Sequence, residues 1–76
     1  MKKVLSVIVG GIGFAYTRKW TAYGDILDVM EAIQDDFKTC KFDHGIQKGD
    51  KLQIGIIENK TGNSLNKLVT VGENCK

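Results

Sequence analysis

Residues 25–38 read DILDVMEAIQDDFK, and this stretch decides the fold. Ile26, Val29, Met30, Ile33 and Phe37 recur at helical spacing and form one apolar stripe. Asp28, Glu31 and Asp35 fall on the opposite side. Thr21 or Asp25 can serve as N-cap, because a short oxygen-bearing side chain there accepts from the first free amides. Asp25 and Asp28 suit the positive end of the helix dipole, and Lys38 suits the negative end. One amphipathic helix with a single apolar stripe needs a sheet face to cover.

The flanks supply that sheet. Lys3 to Val9 is rich in β-branched residues and apolar on both sides, which predicts a central strand. Gly10-Gly11 then reads as a two-residue hairpin turn, since both positions tolerate positive φ. Ile12 to Lys19 is expected to return as a second strand, with Ile12, Phe14 and Tyr16 on one side and Gly13, Ala15 and Thr17 on the other. After the helix, 40–50 reads as a connection with Gly45 and Gly49 as turn points. Lys51 to Glu58 alternates, with Leu52, Ile54 and Ile56 on one side. Asn59-Lys60-Thr61-Gly62 fits a hairpin with its glycine in the left-handed region. Leu65 to Val71 closes the sheet, with Leu65, Lys67, Val69 and Val71 sharing a side. The expected architecture is α+β in ββαββ order: a four-stranded antiparallel sheet with one helix packed on one face. Residues 1–76 form a single domain.

Size limits what such a domain can do. A chain of 76 residues buries only about 60% of the surface it exposes when unfolded, so the core is thin. Little free energy is left over to hold a strained, buried active site. There is no proline, and nine glycines carry most of the turns.

Met1-Lys2-Lys3 followed by an apolar run to Ala15 has the outline of an export leader, with Gly13-Phe14-Ala15 in place of a small-x-small cleavage site. Ser6, Gly10, Gly11 and Gly13 interrupt that run, and its removal would take the first strand with it. The segment is therefore read as strand; it is too short to span a membrane. Two cysteines far apart, Cys40 and Cys75, can form a single disulfide in an oxidising compartment; the favoured expectation is two free thiols in a reducing cytoplasm.

Net charge is only +2, yet its distribution is uneven. Thr21 to Phe37 holds five acids (Asp25, Asp28, Glu31, Asp35, Asp36) and no Lys or Arg. The rest of the chain carries eleven bases against four acids. The acidic face Asp28, Glu31 and Asp35 offers electrostatic docking for a basic partner. A second candidate is Tyr16, Arg18, Lys19, Trp20 and Tyr23, because Arg, Trp and Tyr are the types enriched at binding hot spots. The same mixture can stack on unpaired nucleotides while its bases hold phosphates.

Catalytic motifs are not found. Val9-Gly10-Gly11-Ile12-Gly13 fails the dinucleotide fingerprint, because the last required glycine falls at Tyr16. No Gly-Lys-Ser/Thr loop exists. Cys40, Asp43 and His44 lie close in sequence but are too few for a structural zinc, and Cys40 with His44 lacks an orienting partner for nucleophilic work. The helix acids project from a polar face, where nothing raises a carboxyl pKa for general-acid chemistry. Asn59-Lys60-Thr61 matches a glycosylation sequon and is read as a polar turn.

In size and in its lack of catalytic groups the chain resembles the small single-domain proteins with which bacteriophages bind and inhibit host or defence proteins. That resemblance implies an inhibitor. The expectation is a non-enzymatic protein-binding domain, cytoplasmic, without cofactor, metal or membrane. Its partner is another protein, reached through the acidic face or the aromatic and basic segment. The alternative is a nucleic-acid-binding domain using basic strands and exposed aromatics. An edge strand also offers a route to a homodimer.

Overall fold

A computed structural model describes residues 3–39 and 45–75. The element order is β1 (Val4–Gly11), β2 (Thr17–Tyr23), α1 (Ile26–Lys38), β3 (Lys51–Glu58) and β4 (Ser64–Thr70). The strands form one antiparallel sheet in the order β2-β1-β3-β4. The expected α+β architecture is the observed one, with β1 central and the helix on one face.

Pairing runs Val7 opposite both Trp20 and Ile56, and Ile56 opposite Leu65. Residues in one such row share a face. The inner rows therefore hold Leu5, Val7 and Val9 from β1, Leu52, Ile54 and Ile56 from β3, and Val69 from β4, all buried. Helix α1 lies over β3 and β4 and brings Met30, Ile33 and Phe37 down onto these rows. Ile46 and Val71 complete the core from outside the regular elements. Each such aliphatic side chain contributes about 1.5–3 kcal/mol when fully buried.

Asp25 is the N-cap of α1. Its Oδ2 accepts from the amides of Leu27 at 3.1 Å and Asp28 at 3.4 Å. Thr21, the other candidate, lies within β2. The far end of the helix is closed by a remote segment. The amides of Gly72 and Asn74 donate to the carbonyls of Phe37 (2.8 Å) and Lys38 (2.9 Å), and Lys38 Nζ lies 3.8 Å from Glu73 Oε2. The second hairpin is as expected: the Glu58 amide donates to the Asn63 carbonyl at 2.7 Å, and Gly62 takes φ +79.

The first hairpin differs from the expectation. Gly10 and Gly11 do not form its turn. They remain in β1, paired with Gln53 and Leu52 of β3, while Gly10 also pairs with Thr17. Residues 12–16 make the loop, closed by the Gly11 amide donating to the Tyr16 carbonyl at 2.9 Å, with Gly13 at φ +86. A Cβ on Gly11 would lie 2.7 Å from the Phe14 ring. Gly11 is thus required by an aromatic ring seated on the backbone, a demand that leaves the same mark on a sequence as a tight turn. β2 accordingly runs Thr17–Tyr23, and Ile12, Phe14 and Tyr16 are not strand residues.

Cys75 is disulfide-bonded, contrary to the expectation of free thiols. The sequence holds one other cysteine, Cys40, which lies outside the described residues. Asn74 already reaches Lys38, so the segment leading to Cys75 is held at the C-terminal end of α1. Among the described residues, no helix is long and apolar enough to cross a membrane.

Candidate docking surfaces

Strand alternation divides the aromatic and basic segment into two. Arg18 and Trp20 point to the helix side of β2, and Lys19 and Tyr23 to the other. The Arg18 guanidinium carbon sits 5.2 Å from the Trp20 ring centroid, a cation–π contact worth about 0.5–1 kcal/mol at an exposed site. Trp20 is half-buried against the core edge. Tyr16 is also half-buried, its ring 6.2 Å from that of Phe14. These five residues therefore form no single surface, and only Lys19 and Tyr23 share an exposed face.

The acidic face holds together. Asp28, Glu31 and Asp35 are all exposed, and their spacing of three, four and seven places them side by side on the outer surface of α1. Leu27 stands beside Glu31, one turn away, and is 64% exposed.

The largest unexpected feature is the outer face of the sheet, which no described element covers. It presents Val4, Ser6, Ile8 and Gly10 of β1, the odd-numbered residues of β2 and β3, and the even-numbered residues of β4. Ile8, Ile57, Tyr23 and Leu68 are 41%, 43%, 62% and 65% exposed. Ile8 and Ile57 border a shallow depression of about 370 Å³, floored by Gly10 and Gly55 and walled also by Gln53, Ser64 and Asn66. A Cβ on Gly55 would lie 2.9 Å from Asn66 Oδ1, so the missing side chain keeps the floor low. Among these strand positions the charged residues are Lys19 and Lys51, with no carboxylate. The sequence signal for this face was Ile57 and Leu68, apolar residues that fall out of step with the inward set.

Glu58 is the buried charged side chain among the described residues, 4% exposed, with Lys3 Nζ 3.8 Å from its Oε2. Among the described residues, no group of His, Cys, Asp and Glu gathers as metal ligands. Cys40, Asp43 and His44 lie outside the described residues. No protein-family model, curated protein or solved structure matches the chain.

Proposed function

We propose that the chain is a non-enzymatic protein-binding domain that engages its partner with the outer face of its sheet. The observation that carries this reading is the exposure of Ile8 and Ile57, each at least 41%, beside a depression on a sheet face that no described element covers, with Leu68 and Tyr23 exposed elsewhere on that face. Scattered apolar residues on a surface are ordinary, whereas exposed apolar residues bordering a depression mark an interaction site. The absence of carboxylates among those strand positions and the presence of Lys19 and Lys51 favour an occupant that is aliphatic and acidic. An inhibitor of the phage type fits this reading in size and in its lack of catalytic groups. The disulfide at Cys75 favours an oxidising compartment over a reducing cytoplasm.

Co-purification from the native source tests the proposal. The chain is expected to retain a stoichiometric partner that the Ile8→Asp, Ile57→Asp double variant loses, with circular dichroism unchanged. Equal retention by both overturns it. Lys19 and Tyr23 on the same face support nucleic-acid binding as a second reading. Salt-sensitive binding of single strands, lost in Tyr23→Ala, would replace the first reading with the second.

A further inference from the structure

We propose that the occupant of the outer sheet face is a second copy of this chain, which lays the acidic outer surface of its α1 across it. The inference rests on the reading of that face as the docking surface and adds the identity of what docks. Three observations on the molecule support it.

The first is charge. The outer sheet face carries Lys19 and Lys51 and, among its strand positions, no carboxylate. The outer surface of α1 carries Asp28, Glu31 and Asp35, and its sole base is Lys38 at the end. One face of the molecule is thus the electrostatic counterpart of the opposite face.

The second is shape. Leu27, 64% exposed beside Glu31, is an apolar projection on an otherwise acidic surface. The glycine-floored depression between Ile8 and Ile57 is an apolar recess on the facing surface. Burying Leu27 there removes exposed apolar area from both copies.

The third is precedent within the fold. The inner face of the same sheet is already covered by α1, an amphipathic helix with acids on its far side. A helix from a second copy gives the outer face the same kind of cover, completing a helix–sheet–helix sandwich.

The edges of the sheet do not compete well. β2 carries Arg18 and Lys19, and β4 carries Lys67, the kind of charge by which edge strands discourage further pairing.

The two surfaces lie on opposite sides of each chain, so the contact is head-to-tail. Every copy offers one helix face and one sheet face, and association continues until a ring closes or a stack grows.

Sedimentation velocity on the full chain tests the proposal. At low ionic strength the chain is expected to associate with rising concentration, and added salt should reverse this. Lys19→Glu with Lys51→Glu should give a monomer. So should Asp28→Lys, Glu31→Lys and Asp35→Lys together. All five positions are exposed, and circular dichroism checks that each variant is folded. The decisive step is mixing: an equimolar mixture of the two variants should associate again, because each restores the other's missing complement. A single chain carrying all the reversals should do the same. Wild-type chain that stays monomeric at submillimolar concentration overturns the proposal, as does a mixture that fails to associate. Capture of a different protein that depends on Ile8 and Ile57 would, in that case, leave the outer face as a docking surface with a foreign occupant.

Discussion

The two faces of the sheet are cut from the same strands, and they differ in what covers them. On the inner face Leu5, Val9, Leu52, Ile54 and Ile56 are fully buried. One residue along, on the outer face, Ile8 and Ile57 are about two-fifths exposed. The side chains are of the same kind, and so is the backbone. The difference is helix α1, whose apolar stripe lies over β3 and β4 on one side only. Apolar character in a strand therefore decides which residues can be buried, and the position of the next element decides which are. The polar residues follow suit: Ser6, Gln53, Ser64 and Asn66 share the outer face with those isoleucines, while Glu58 is the charged residue buried among the described ones on the inner face.

Cutting a side chain on the covered side should have the largest effect. Ile54→Ala leaves a cavity under the helix and is expected to destabilise by about 2–5 kcal/mol, read as a fall in denaturant midpoint at constant slope. A cost near zero would mean that the helix does not grip the sheet.

The glycines give a finer contrast. Gly11→Ala drives a Cβ into the Phe14 ring on the covered side and is expected to cost about 1–3 kcal/mol. Gly55→Ala meets only the end of the Asn66 side chain on the open side, which can swing away, and should change stability much less. Equal thermal shifts for the two would show that Asn66 is held firmly and that the outer face is packed.

The smallest effect is expected for Ile57→Ser. In the isolated chain it should shift stability by less than about 1 kcal/mol, because the side chain already meets water. A larger loss, growing with protein concentration, would mean that the residue is covered in the working form.

Much of the fold was legible in local pattern. The helix followed from the period of Ile26, Met30, Ile33 and Phe37, and its start from Asp25. β3 followed from the strict alternation of Leu52, Ile54 and Ile56, and the second hairpin from Gly62. The first hairpin was not legible, because Gly10-Gly11 satisfies two different demands and only the placement of Phe14 tells them apart. That shift of the loop moved β2 along the chain, so that strand alternation extends to Trp20 and Tyr23 and sets them on opposite faces. Of the proposed contact residues, Asp28, Glu31 and Asp35 were legible as a unit, since helical spacing alone groups them. The outer face was not, because exposure of Ile8 and Ile57 depends on what lies above them in space. The disulfide at Cys75 was hidden for the same reason: the return of Gly72 and Asn74 to the helix end leaves no periodic trace.

That return ties together parts of the molecule that would otherwise open separately. The carbonyls of Phe37 and Lys38 are satisfied by amides that follow directly on β4. If β4 peels from β3, those donors leave with it, and the helix loses its closing hydrogen bonds along with part of the floor beneath Phe37. Helix, last strand and chain end therefore form one cooperative unit, whose amides should exchange with solvent through a common opening. β2 stands outside that unit: it is an edge strand paired with β1 alone, and it is free to fray at a lower free-energy cost.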